Sequence, residues 1–228
     1  MRTDLQRRQW SLTLAAFAAL AWLPSAHAKD ADEANAIVDK ARIAFDDMVK
    51  AKDFDGLRAG LKSARGVVIF PSILKGGFVV GASGGTGVLL VRGEGDAWSA
   101  PAFYTLGALS FGLLAGGQAA EVVILVNNQT AVDRLLTPSI KLGGDALIAA
   151  GPVGAGKAAN LKADFVSYAK SKGAYVGVSI EGSVLDVRGS LNHGYYGREL
   201  TPVDILVKRN ASNRHADALR AAVAAHAR

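Results

Sequence analysis

The chain has 228 residues, a formal net charge of +6 and no cysteine, which excludes disulfides, thiol nucleophiles and cysteine metal sites. Half the residues are hydrophobic and a fifth are charged, the balance of a folded globular protein. The lysines and arginines are scattered without aromatic–basic alternation, so nucleic acid is not expected as a partner.

Residues 1–28 read as a secretory signal peptide. Arg2, Arg7 and Arg8 form a positive start, residues 10–23 are apolar but for Ser11 and Thr13, and Pro24 precedes Ala26-His27-Ala28, an A-x-A cleavage pattern. The apolar run is too short for a stable transmembrane helix. The Arg7-Arg8 pair is compatible with export by the general or the twin-arginine route. The expectation is a bacterial protein, cleaved near Ala28 and left periplasmic or secreted. Cleavage leaves 23 Lys and Arg against 19 Asp and Glu, a balance of +4. That charge permits contact with anionic lipid or polysaccharide without requiring it. Residues 29–228 suit one domain with a sizeable core. Two N-terminal helices are expected over 32–64, a sheet core over 65–190, and C-terminal helices over 192–226.

Residues 32–51 predict a helix with Ala34, Ile37, Val38, Ala41, Phe45, Met48 and Val49 on one apolar face. The opposite face mixes Asp32, Glu33, Asp39, Asp46 and Asp47 with Lys40, Arg42 and Lys50. A membrane-surface helix has a mainly basic polar face, so this one is expected to dock on the protein's own sheet. A second short helix over 54–64 places Phe54, Leu57 and Leu61 on one side. It ends in Lys62, Arg65 and Gly66, where a helix C-terminus favours cations and glycine.

The stretch 64–92 reads ARGVVIFPSILKGGFVVGASGGTGVLLVR and predicts three buried strands, at 66–70, 77–81 and 88–91. Pro71 and Gly76-Gly77 separate the first two, and Ser83-Gly84-Gly85-Thr86-Gly87 reads as a hairpin turn. Thirteen of the 26 glycines fall between positions 66 and 117, so tight turns or close backbone approaches are expected there. Residues 98–107 predict a strand with Pro101 at an edge or bulge. Residues 112–118 predict another, and 122–126, almost wholly apolar, a central one. Asn127-Asn128 opens a short helix with Ala131, Val132, Leu135 and Leu136, which Pro138 stops. Strands follow at 146–150, 165–169 and 184–188, and residues 176–180 alternate with a period of two. Thr201, Pro202 and Asp204 form a helix start signal, and 213–225 predicts a last alanine-rich helix. Strands framed by helices, without βαβ alternation, predict an α+β fold. Its largely antiparallel, glycine-rich sheet is expected to be sandwich or barrel-like.

An ordered set of residues carries a family resemblance. Ala64-Arg65-Gly66-Val67, Phe70-Pro71, Lys75-Gly76-Gly77, Gly81 and Trp98-Ser99-Ala100-Pro101 resemble the SYLF lipid-binding domain family. So do Leu142-Gly143-Gly144-Asp145, Ala150-Gly151-Pro152-Val153-Gly154, Tyr168 with Ser171-Lys172-Gly173, and the run from Gly177 to Ser183. Tyr195-Tyr196-Gly197 and Pro202 with Asp204-Ile205-Leu206 are similar to the family's C-terminal end, so the likeness runs from about 29 to 208. The resemblance implies lipid binding, with phosphoinositides as the analogy from some relatives, and a lipid surface near the N-terminal helix. Eukaryotic relatives join Src-homology-3 modules and bind actin. An export signal and no second module mean that actin is not implied here. The ligand expected beyond the inner membrane is phosphatidylglycerol, cardiolipin or lipopolysaccharide.

Catalytic chemistry is not expected. Residues 151–158 fit G-x-x-x-x-G-K, but Ala158 stands where a phosphate-binding loop needs Ser or Thr for magnesium. His193, His215 and His226 are dispersed and lack partners at metal-ligand spacing. Asp145 reads as a turn cap, and Glu121 and Glu181 as partners for lysine or arginine. No cofactor and no metal are expected. The candidate lipid-binding residues are Lys62, Arg65 and Lys75 with Ile73 and Leu74 as apolar anchors. The alternative is an ordinary solvated loop over a buried Ile73 and Leu74. The expected function is an exported, non-catalytic binder of anionic phospholipid surfaces; the alternative is a structural or interaction protein of the cell envelope with no lipid ligand. An outer-membrane barrel would need alternating strands of about ten residues throughout, and a hydrolase would need a nucleophile–base set.

Overall fold

The computed structural model describes residues 26–77, 80–111, 118–143, 147–149, 163–171, 174–175 and 182–228. Most of the expected export leader, the expected strands at 112–118 (save Gln118) and 176–180, the 151–158 loop, Asp145 and Glu181 lie outside the described residues.

The first helix, α1, spans Ala26–Lys50. It begins six residues before the expected start, so the A-x-A motif opens it. Ala34, Val38, Ala41, Phe45, Met48 and Val49 are all buried, as their 3.6-residue period dictates. The helix therefore docks on its own sheet. A 3₁₀ turn leads into α2, Asp55–Leu61, which buries Leu57 and Leu61 beside Phe54.

Two features of the 64–92 stretch differ from expectation. β1, Gly66–Gly77, is one twelve-residue strand, not two strands broken at Pro71. Its register with β2 shifts between Ile69 and Leu74, and with β4 between Phe70 and Ile73. Pro71 lies inside that shift, where a bulge spares the ladder the N–H that proline lacks. β2 spans Val80–Val91, so Ser83–Gly87 is strand and not turn. Pairing runs out to Gly77 opposite Gly81. The glycines of the SGGTG run answer the bulge. A Cβ on Gly87 would stand 2.3 Å from the Ile69 carbonyl oxygen, and one on Gly85 2.3 Å from that of Ser72. Backbone presses on backbone here, and only glycine leaves room.

β3 spans Ala102–Phe111 and β4 Gln118–Val126. The third helix, α3, is Gln129–Leu135, capped by the Asn128 side chain accepting from the Ala131 N–H at 2.8 Å. Short strands β5 (Ser139–Lys141), β6 (Leu147–Ala149), β7 (Phe165–Ser171), β8 (Ala174–Tyr175) and β9 (Val184–Val187) complete the sheet. The described strands order as β5-β9-β3-β2-β1-β4-β7-β6, with β8 on β7. Every described pair is antiparallel except β6 with β7. The fold is thus α+β and largely antiparallel. Its single sheet is not closed into a barrel, since β5 and β6 end the strand order without pairing each other.

Both faces of the middle of the sheet are covered. Val67, Ile69, Val88, Leu90, Val123 and Leu125 pack under α1, α2 and the C-terminal helices. Val68, Phe70, Leu89, Val122 and Ile124 pack against α3 and the Ile205-Leu206 pair. Coverage on both sides explains why these strands read as continuous apolar runs. Burial on this scale, at about 25 cal/mol per Å² of apolar surface, is the main force holding the layers together.

The C-terminal part contains α4, Gly189–Tyr196, and α5, Asp217–His226. At α4 a Cβ on Gly194 would stand 2.7 Å from the Asp30 side chain and 2.9 Å from the Ala31 nitrogen, so α1 and α4 touch backbone to backbone. The Thr201 start signal forms as expected, but it opens a π-turn over Val203–Val207. Thr201 N–H and Oγ1 donate to Asp204 at 3.1 and 2.6 Å, and Lys208 Nζ at 2.9 Å. The Thr201 hydroxyl first, then Lys208, hold the Asp204 carboxyl down at about 2. A lowered carboxylate stabilises above its unfolded value and loses that contribution as pH falls through the folded one. In an NMR titration the Thr201 amide is expected to move with a midpoint near 2; a midpoint near the ordinary aspartate value would mean the bonds do not hold in solution.

Candidate functional site

The strand geometry separates the five sequence-predicted residues. Lys62 and Arg65 are exposed where α2 meets β1. Arg65 donates its backbone N–H to the Val126 carbonyl at 2.7 Å, which fixes it at the start of β1. Lys75 lies ten residues further along the strand, roughly 30 Å away at about 3.3 Å per residue. Ile73 is 2 % exposed and belongs to the core on the α3 face. Leu74, its neighbour, is 64 % exposed, the highest value among the large hydrophobic residues described. The bulge sets this parity: it turns Ile73 inward and Leu74 outward, which a loop reading could not foresee.

Around Leu74 the α1-side layer stops among the described residues, while the opposite face stays buried at Ile73, Leu106 and Ala120. Leu74, Lys75, Gly76, Ala82, Gly84 and Ala119 line an open depression of about 780 Å³. Leu74 pairs with Gly84 on one side and Ala119 on the other, so small residues flank it and leave its side chain standing alone. Among the described residues Ile43 on α1 and Val207 are the other large exposed hydrophobics, each about half exposed. The apolar face of α1 is consumed by the core, which leaves Ile43 alone among the mixed charges of the outer face.

Titratable groups meet at several places among the described residues, and three of these groupings join distant parts of the chain in structural contacts. Glu121 and Lys170 face each other across β4 and β7 with a 3.8 Å ion pair. Burial raises the Glu121 carboxyl, Lys170 opposes that shift, and Asp47 adds to it. Arg134 and Asn128 both bind Asp164, at 3.1 and 2.7 Å. The third group was invisible to sequence spacing. Asp39 Oδ1 lies 3.3 Å from His215 Nε2, and His215 Nδ1 lies 3.3 Å from the Tyr195 hydroxyl. This string has the order of a carboxylate–base–hydroxyl relay. It does not activate the hydroxyl: burial, then Asp39, then Asp217 push the Tyr195 phenol upward, and a nucleophile needs the opposite shift. His193 sits 3.4 Å from Glu199. Among the described residues no three His, Cys, Asp or Glu side chains group to hold a metal ion. No described helix is long and apolar enough to cross a membrane.

Comparison with known proteins places this architecture. A family profile described as "Ysc84: Las17-binding protein actin regulator" matches residues 107–226, from the middle of β3 through α5. The chain belongs to the Ysc84 family. An SH3 domain-containing protein of Schizosaccharomyces pombe is 37 % identical over 166 residues, 70 % of this chain and 38 % of that protein. SH3 domain-containing YSC84-like protein 1 of Homo sapiens is 34 % identical over 151 residues, 64 % of this chain and 44 % of that one. LAS seventeen-binding protein 3 of Saccharomyces cerevisiae is 36 % identical over 156 residues, 65 % of this chain and 34 % of that one. The chain thus spans less than half the length of these relatives. The Ysc84 match includes the C-terminal helices that cover one face of the sheet, so the family's sequence pattern includes that cover.

Proposed function

We propose that this Ysc84 family member is an exported, non-catalytic protein that binds anionic membrane surfaces, with phosphatidylglycerol, cardiolipin or lipopolysaccharide as the headgroup. One observation carries the reading. The acidic groups that meet other ionisable groups are held in structural pairs, while the exposed Lys62, Arg65 and half-exposed Lys75 make no ion pair among the described residues. Free cations on a protein without a described reaction centre suit an anionic surface. A cation beside an acidic leaflet contributes on the order of 1 kcal/mol, and since Lys75 lies at the opposite end of β1 from Lys62 and Arg65, one end of the strand engages at a time. Attachment of this size is weak, reversible and salt-sensitive. The leader at 1–28 supplies the route to such a surface.

The test is cosedimentation with vesicles, using protein expressed from its full coding sequence with its N-terminus read by mass spectrometry. Retention on phosphatidylglycerol vesicles, release in high salt, and no retention on phosphatidylcholine alone are expected, with Lys29 as the first residue. Equal indifference to both vesicle types would remove lipid from the reading. It would favour a protein partner in the envelope, in line with the name of the yeast relative, a LAS seventeen-binding protein.

A further inference from the structure

We infer that the protein meets the membrane with the Gly77 end of its sheet, Leu74 entering the apolar boundary and Lys75 lying at the headgroups. The inference rests on the membrane reading above and names the surface that serves it. Burial separates the two ends of the long strands. Residues 66–70 and 87–91 are buried, whereas Leu74, Gly76, Ala82 and Ala119 are exposed. Among the described residues the α1-side layer therefore covers one end and leaves the other bare, while Ile73, Leu106 and Ala120 stay buried on the opposite face.

The bare end has the chemistry of an interface with lipid. Next to Leu74 the described side chains of Ala82, Ser83 and Ala119 are small, and Leu74 is the one large apolar projection among the described side chains here. Over 71–77, 80–85, 106–111 and 118–121 the charged residues are Lys75 and Glu121. Glu121 is already paired with Lys170, so Lys75 is the charge left to act. A sheet end in water is ordinarily polar. An uncharged one with a projecting leucine and an adjacent lysine fits the boundary where apolar groups are buried and a cation reaches the phosphates.

The opposite end differs. Arg65 and Lys62 stand there, but beside them are the exposed Glu94 and Asp133, together with the Arg92–Asp96 and Arg134–Asp164 ion pairs. Acidic groups near the contact would repel an anionic leaflet. The charge distribution therefore selects one end of the molecule.

The absence of cysteine makes the test direct. Leu74→Cys and Arg65→Cys, each labelled with a polarity-sensitive fluorophore, are mixed with phosphatidylglycerol vesicles. The label at 74 is expected to brighten and shift to the blue, and the label at 65 to stay in water. Leu74→Asp is expected to lower vesicle partitioning about tenfold or more, and Leu74→Ser by less. Both positions are exposed, so circular dichroism should be unchanged. Binding that persists with a silent label at 74, or that is lost only in the Lys62→Glu, Arg65→Glu variant, overturns the placement and leaves the membrane reading standing. Shielding of the 74 label with rising protein concentration and no vesicles shows a second copy on this surface and overturns it too. Failure of the unmodified protein to bind vesicles overturns both.

Discussion

Gly87→Ala is expected to destabilise the protein by roughly 2–3 kcal/mol, the scale of overpacking in a filled interior. For a chain of this size that lowers Tm by about 5–10 °C. The new methyl would lie 2.3 Å from the Ile69 oxygen, 2.6 Å from Phe70 Cδ1 and 3.0 Å from the Ile69 carbonyl carbon. Two of those atoms are backbone, so no side chain can rotate out of the way. β1 cannot shift either, because β2 and β4 hold it on both sides. Gly76→Ala is the matched control. Nothing lies within 4 Å of a Cβ there, and alanine restricts the unfolded chain, so that variant should be neutral or slightly more stable. Equal melting of the two variants would show that the bulge does not press on β2.

That contrast also shows what the sequence could convey. Helix α1, its buried face, the Asn128 cap and the central β4 follow from local periodicity and capping chemistry, because one segment's pattern suffices to specify each. The Ser83–Gly87 run misleads for a physical reason. Glycine is used both where a turn needs positive φ and where another backbone comes too close for a Cβ, and composition alone does not separate the uses. The Pro71 bulge is the cause, yet it becomes visible only with the register of two partner strands. The same bulge decides the candidate site. Ile73 and Leu74 look equivalent in sequence, and one residue of slip sends one inward and the other outward. The cations Arg65 and Lys75 looked adjacent because a proline between them implied a loop; an uninterrupted strand holds them at opposite ends. The Asp39–His215–Tyr195 string joins residues 176 positions apart at its extremes, a spacing no local pattern marks.

Arg92 carries a second large effect. Its side chain is 9 % exposed and reaches four parts of the chain. Nη2 donates to the Leu61 carbonyl at 2.6 Å and the Ala227 carbonyl at 3.2 Å, and Nη1 donates to Asp96 at 3.1 Å. The guanidinium also lies 5.1 Å from the centre of the Trp98 ring. The end of α2, the end of α5, the turn after β2 and Trp98 are thus tied to one rigid fork. Arg92→Met keeps the apolar stem but strands the Leu61 and Ala227 carbonyls, and is expected to cost about 3 kcal/mol, since bonds from a charged donor contribute about 1.5–3 kcal/mol each. Arg92→Lys should recover only part of that, because an ammonium point charge does not span acceptors set out for a planar fork. Asp96→Ala removes an ion pair whose acid is 71 % exposed, and such a pair contributes about 1 kcal/mol at most. Hydrogen exchange adds the location: amides of α5 should lose protection in Arg92→Met and keep it in Asp96→Ala. If denaturant midpoints of Arg92→Met and Asp96→Ala coincide, the surface ion pair is the whole effect and the carbonyl clamp does not hold the C-terminal helix in place.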